Sequence, residues 1–261
     1  MDKKLRPLPP APANEKKPGI TDGIRAKFSQ FESLFLGTAV KYNLPFLKIW
    51  LSAYFHPAQA WEKEKKSASL KSAAINLLFF YFAFAAVFFV FAVISHSLLG
   101  KMQAKAGAAP LPNPSDYALQ ILAIGPVTDT LFMFVSLFLL FVSSRLLGGK
   151  ASFKEQSYMV SLLFCGAMSL ATVFILPSFI SLLLTSLFTG FSMADMLVLV
   201  LGPLIALVFF IGLFASIIYG LFSLYRMVKC ANQISGVRAA GAIACTVALI
   251  ILLNVLLLAL V

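Results

Sequence analysis

The chain alternates between long runs with no charged side chain and short stretches where charges crowd together. Between Lys71 and Lys101 lie 29 consecutive uncharged residues. About 20 suffice to cross the ~30 Å hydrocarbon layer of a bilayer, so this run predicts a first span over 72–99 with room to tilt. Residues 101–116, with Lys101, Lys105, three prolines and Asp116, read as a loop. From Tyr117 to Ser144 the chain is apolar again, interrupted only by Gly125, Pro126 and Asp129. That interruption predicts a short helix over 117–124 and then a span over 128–147.

The run from Gln156 to Ala194 holds 39 uncharged residues, roughly 58 Å of helix at about 1.5 Å per residue. One straight crossing is never that long. Either two short spans joined by a tight turn fill it, or one span over 156–176 ends at Pro177 and residues 178–191 lie at the outer surface or re-enter. Two further crossings follow, over 196–225 and 239–261. The distribution of cations decides between five and six spans, because short cytoplasmic loops are rich in Lys and Arg. With five spans, 19 of the 21 Lys and Arg fall on one side, leaving Lys101 and Lys105 on the other. The reading is an all-α five-span bundle, with the N-terminus cytoplasmic and the C-terminus outside.

Ahead of the spans the pattern is different. Residues 1–22 are rich in Pro, Lys and Ala with little to bury, which describes a disordered basic tail and no cleavable signal. Residues 23–71 read as amphipathic helices. Ile24, Phe28, Phe31 and Phe35 recur at helical spacing. A second helix, with Asn43 as N-cap and Pro45 in its first turn, carries Leu47, Trp50, Leu51 and Tyr54 along one side and ends at His56-Pro57. Such helices suit the membrane interface or the cytoplasmic ends of the spans.

Composition agrees with a membrane domain: 60% of residues are hydrophobic and 12% charged, and the net charge of +11 comes from cations concentrated before residue 72. Soluble domains run nearer ~45–50% apolar and ~25% charged. A basic flank beside apolar spans fits retention at the cytoplasmic face and attraction to anionic lipid, not nucleic-acid binding. Cys165, Cys230 and Cys245 are single and widely spaced, and read as small buried hydrophobes with neither disulfide nor metal spacing.

Candidate chemistry is sparse. There is no phosphate-binding Gly-rich loop, no His-Glu-x-x-His and no Gly-x-Ser-x-Gly. With only His56 and His96 as histidines, neither acid-base catalysis nor a metal or other cofactor is expected. Asp129 is the one acid that falls within a span, where such residues default to ion or proton pathways. After the Gly-Pro interruption it reads more simply as a cap on a helix N-terminus. A small transporter or channel subunit, using Asp129 and the proline-broken outer halves, is the alternative to a non-enzymatic scaffold. Between the second and third spans, Gly148 or Gly149 reads as a helix C-cap and Ser152 to Glu155 as a capping box, so this segment is a tight hairpin.

That hairpin, Leu147-Gly148-Gly149-Lys150-Ala151-Ser152-Phe153, resembles the one in the Yip family (Ypt/Rab-interacting proteins, "Yip-one" domain). So does the lead-in His56-Pro57 with Ala60-Trp61-Glu62, and so does Tyr219-Gly220-Leu221 with Leu224, followed by Ile234-Ser235 and Arg238-Ala239. The resemblance covers about residues 55–261. It implies a polytopic protein whose eukaryotic relatives bind prenylated Rab-type GTPases in vesicle budding and Golgi organisation, and whose prokaryotic relatives have no assigned role. The short basic N-terminal segment points to a prokaryotic-type member in the plasma membrane. Its expected partners are the bilayer and a protein partner or a second copy of the chain, and its motif residues are Pro57, Trp61, Gly148, Gly149, Lys150, Ser152, Glu155 and Pro177.

Overall fold

The computed structural model describes residues 20–106, 113–187 and 193–259. The expectations for the tail before residue 20, for 107–112 of the first loop, for 188–191 and for the last two residues lie outside them. Every regular element among the described residues is helical: α1 (Ile20–Lys41), α2 (Pro45–Phe55), α3 (Pro57–Glu64), α4 (Leu70–Ala106), α5 (Gly125–Leu146), α6 (Phe153–Leu187), α7 (Met193–Asn232) and α8 (Gly236–Ala259). Five of them, α4 to α8, are long and apolar enough to cross a membrane. The chain is an integral, multi-pass, all-α membrane protein.

The helices alternate in direction. Phe80 on α4 meets Phe164 on α6, and further along the same two helices Phe91 meets Phe179, each pair with ring centroids 6.0 Å apart. Thus α4 and α6 run parallel. The α7 helix returns alongside α6, where the Ser181 hydroxyl donates to Gly202 O at 2.7 Å and Phe174 packs on Phe209. The α5 and α8 helices close the bundle, with Met133, Leu137 and Leu140 facing Ile243, Thr246 and Ile250. Lipid tails are as apolar as leucine, so helices in a bilayer associate through close packing and small residues. The α6–α7 seam follows that rule: Ala171, Ser178 and Ala206 are buried, and Gly202 faces Ser181. Leu204, Val208, Ile211, Phe214 and Ile218 stay exposed on the outside of α7, toward lipid.

Several boundaries differ from expectation. Pro177 does not end the third helix: α6 runs through it to Leu187, and the stretch apolar enough to cross a membrane reaches Ser181. A proline removes one backbone hydrogen bond, and neighbouring helices and hydroxyls compensate readily inside a membrane bundle. Here α7 packs along this stretch, and the Ser178 hydroxyl donates to Phe174 O at 2.8 Å. The first span likewise overruns the expected loop, since 101–106 belongs to α4. Before α5 the chain forms a 3-10 turn (Pro114–Tyr117) and a π turn (Gln120–Ile124) instead of one short α-helix. Gly125 is helical and its N–H donates to Gln120 O, so Gly-Pro is no break: the helix runs through it by way of the wider π turn just before Pro126. Asn43 is not the N-cap of α2. It takes a left-handed turn conformation with φ 50°, and Leu44 is the cap.

The α2 helix takes the second of its two expected placements, against the spans. It is wedged into the groove formed by α4, α6 and α7, burying Trp50, Leu51, Ala53, Tyr54 and Phe55. Its amphipathic face is the expected one, and it is covered by the spans. A helix end in apolar surroundings must find partners for its free carbonyls, and α7 supplies them. The Ser223 hydroxyl donates to Tyr54 O at 2.8 Å and the Tyr219 hydroxyl to Phe55 O at 3.1 Å. Tyr54 in turn donates to Ser216 O at 2.7 Å, and Trp50 Nε1 donates to Asn76 Oδ1 on α4 at 3.2 Å. Burial holds the Tyr54 phenol up at a pKa of about 12, so it stays a donor at any ordinary pH. The α1 helix rests on the outside of this wedge through Phe31 and Phe35, with Phe31 stacked on Phe174.

Candidate functional site

One end of the bundle carries the α5–α6 hairpin, the α7–α8 turn, α3 and the start of α4. We refer to it as the basic end, because Lys63, Lys66, Lys71, Arg145, Lys150, Lys154, Arg226, Lys229 and Arg238 are all exposed there. Near them stand Glu62, Glu64 and Glu155, too few carboxylates to neutralise the face.

The hairpin is built as its sequence suggests. Gly148 takes φ 89°, a left-handed conformation that ends α5 at little cost only for glycine. Arg145 Nη1 donates back to Gly149 O at 2.9 Å and lies over the Phe141 ring. On the α6 side the capping box is formed: Glu155 Oε2 accepts from Ser152 N at 2.9 Å and from the Ser152 hydroxyl at 2.5 Å, and Glu155 N donates to Ser152 Oγ. Lys150 contributes through its backbone, its N–H donating to Asn232 O at 3.1 Å while the ammonium stays exposed.

Asn232, fully buried at the end of α7, ties this hairpin to the rest. Its Nδ2 donates to Gln156 Oε1 at 3.3 Å and to Val228 O at 3.2 Å. Gly149 packs so tightly beside it that a Cβ there would lie 2.5 Å from Asn232 Oδ1 and 2.8 Å from Ser144 O. Around it, Ser143, Ser144 and Ser157 are buried, and their hydroxyls, Asn232 Oδ1 and Gln156 Nε2 have no partner among the described residues. Asn232, Gln156 and these serines form a polar node set into an apolar bundle. Neither Asn232 nor Gln156 stands out in the sequence, because each is one amide at the edge of an apolar run.

The α3 helix joins the same end. Pro57 is fully buried as its first residue and Trp61 is 8% exposed in the core. The Tyr158 hydroxyl donates to Glu64 Oε2 at 3.2 Å, linking α3 to α6. Ahead of it, His56 Nε2 and Glu32 Oε1 approach to 2.5 Å, pinning α1 to the α2–α3 corner. The three segments that carry the resemblance stated above, around Pro57–Glu62, Leu147–Phe153 and Tyr219–Ala239, thus meet in one packed unit. Pro177 stands apart, midway along α6.

Asp129 is the clearest correction. It is the fifth residue of α5, it is exposed, and it caps nothing. The helix continues upstream through the π turn, so the N–H groups a carboxylate would cap are already engaged. The hydroxyls of Thr128 and Thr130 bond to Ile124 O and Pro126 O. Nor does Asp129 line the hollows beside α2, at the basic end or between α5 and α8.

Two hollows flank α2 and are almost wholly apolar: one of 260 Å³ toward α4, and one of 270 Å³ toward α7 under Tyr54 and Phe55. A third, of 590 Å³, opens at the basic end between α3 and α7 and is lined by Phe222, Tyr225, Arg226, Lys229 and Gln233. Among the described residues no group of three His, Cys, Asp or Glu side chains could hold a metal ion. Cys165 is buried, as expected, with its thiol 3.6 Å from Asn76 O, whereas Cys245 is exposed on the outside of α8. The arrangement offers positioning and binding surfaces. No family model, no curated protein and no solved structure matches the chain.

Proposed function

We propose that the chain is a Yip-type, non-enzymatic membrane scaffold that organises the bilayer or holds a protein partner at its basic end. In this reading it sits in the plasma membrane with the basic end cytoplasmic and α8 ending outside. What supports it is the way the basic end is tied together: Asn232 bonds the hairpin to the end of α7, the Tyr158–Glu64 bond ties α3 to α6, and the cations stand exposed on the surface so formed. A surface for a partner must be held rigid before binding if affinity is not to be lost to ordering.

The test is site-directed photocrosslinking in intact cells from positions 150, 154 and 238, with position 115 at the other end as control. A discrete adduct, with one protein or with a second copy of the chain, is expected from the first three positions and not from 115. Equal adducts at both ends would overturn the reading, as would substrate turnover by the pure protein or exposure of position 150 on the outer face.

A further inference from the structure

The groove that runs along one face of α7 has two unlike halves. At the basic end Arg226 and Lys229 stand exposed in the wall of the 590 Å³ hollow. Neither has a carboxylate within ion-pair distance among the described residues. The Arg226 guanidinium lies 5.7 Å from the centre of the Phe222 ring, which steadies it in the groove. Lys229 lies in the last turn of α7, where the negative end of the helix dipole favours positive charge, and Arg226 lies just before it. Deeper along the helix is the 270 Å³ hollow, lined by Phe31, Tyr54, Phe174, Ala215 and Tyr219 and nearly free of polar surface.

The two halves are joined. Phe222, half exposed, has its ring 6.4 Å from Tyr219 in the apolar hollow and 6.3 Å from Tyr225 in the basic one. Ala215, Tyr219, Phe222, Arg226 and Lys229 recur at three- and four-residue intervals, so they form one stripe on α7. The opposite wall is also continuous, since the α2–α3 corner gives Tyr54 and Phe55 to one hollow and Ala58 to the other.

We propose that this groove binds a single anionic phospholipid, with its phosphate between Arg226 and Lys229 and an acyl chain passing Phe222 and Tyr219 into the hollow under Tyr54. Two cations alone would hold any phosphate. The apolar half selects a lipid over a soluble phosphate. Gly212, at the far end of that hollow, lies 14 positions before Arg226, about 21 Å along a helix. One leaflet with its headgroup layer is about 20–22 Å thick. Head and tail would therefore sit at their natural depths. The site is independent of the scaffold reading, because it requires nothing of a protein partner.

Native mass spectrometry of the full chain in detergent provides the test, with three probes: phosphatidylglycerol, phosphatidylcholine of the same acyl chains, and glycerol 3-phosphate. One phosphatidylglycerol should be retained at a concentration at least tenfold lower than phosphatidylcholine, without competition from glycerol 3-phosphate. R226Q/K229Q should reduce phosphatidylglycerol to the phosphatidylcholine level, while Lys154→Gln leaves it unchanged. Ala215→Trp, which fills the apolar hollow, should weaken retention about tenfold. Phe222→Ser, at an exposed position that leaves the fold intact, should weaken it in the same direction. Equal retention of the two lipids, an equal loss in Lys154→Gln, full retention in both Ala215→Trp and Phe222→Ser, or displacement by glycerol 3-phosphate would each overturn the proposal.

Discussion

The carbonyl oxygen of Trp50 occupies the space that a methyl group on Gly166 would need. A Cβ at Gly166 would also lie 2.8 Å from the Trp50 carbonyl carbon and 3.0 Å from Tyr54 Cβ. The α2 backbone therefore touches the α6 backbone directly, and only glycine allows that approach. The obstructing atoms are main chain, so no side-chain rotation relieves the clash. Gly166→Ala should push α2 out of its groove at a cost of about 1–3 kcal/mol, typical of overpacking, and Gly166→Val should prevent seating altogether. Thermal unfolding in detergent should show a graded loss in the order wild type, Ala, Val. Solvent quenching of Trp50 fluorescence, read in a Trp61→Phe background, should rise in the same order.

Asn232 bridges three elements, so its removal should uncouple them. Asn232→Leu keeps the branched outline of the side chain, at a larger volume, but deletes the bond to Gln156 and leaves that amide without its partner. Single interhelical hydrogen bonds in membranes average only about 0.6 kcal/mol, while leaving a buried polar group unsatisfied costs about 1–3 kcal/mol. The second effect should dominate, so Asn232→Leu is expected to be destabilising and Asn232→Leu/Gln156→Leu less so than the single variant. An additive double variant would show that the amides do not act as a pair.

The five crossings are legible in the sequence because lipid imposes a single rule, long stretches without charge, and α4 to α8 obey it. The capping box at Ser152 and Glu155 is legible because it is local. The seat of α2 is not. Its Leu47, Trp50, Leu51 and Tyr54 stripe suits a lipid interface as well as a protein groove, and what decides is Gly166, Tyr219 and Ser223, more than a hundred residues away. Pro177 misleads because the helix-breaking rule comes from water, where nothing replaces the lost bond. Asp129 misleads for a related reason, since a π turn carries the helix backward past the expected start.

Glu32 and His56 hold α1 against the α2–α3 corner, and Phe31, Phe35, Leu36 and the buried Ala39 add apolar contacts. Glu32→Ala should loosen α1 while leaving α2 seated, because the α2 bonds to Ser216, Tyr219 and Ser223 do not involve α1. Hydrogen exchange should accelerate several-fold for amides of 29–41 and remain unchanged for 50–55. Equal acceleration in both segments would mean that α1 clamps α2 in place.

The capping box offers a local test at the basic end. Ser152→Ala and Glu155→Ala each remove part of a reciprocal pair, and the double variant should cost little more than either single one, since both break the same contact. Each loss should be about 1 kcal/mol, or about 2–4 °C in Tm for a domain of this size. Clear additivity would place the stabilising role of Glu155 elsewhere, with Lys154 or Lys65 as the nearest charges.

Span number and orientation can be read from three positions. Lys150 and Ser235 are exposed at the basic end, in the α5–α6 and α7–α8 connections, whereas Ser115 is exposed in the 3-10 turn before α5. With α4 to α8 each crossing once, cysteines at 150 and 235 share a side and one at 115 faces the other. In a background lacking Cys165, Cys230 and Cys245, an impermeant maleimide added to intact cells should label Ser115→Cys alone. Permeabilisation should then expose Lys150→Cys and Ser235→Cys together. Labelling of 235 but not 150 in intact cells would require an extra crossing between them, and the only uncharged run long enough to supply it is Gln156 to Ala194. That result would demand that α6 bend at Pro177 after all.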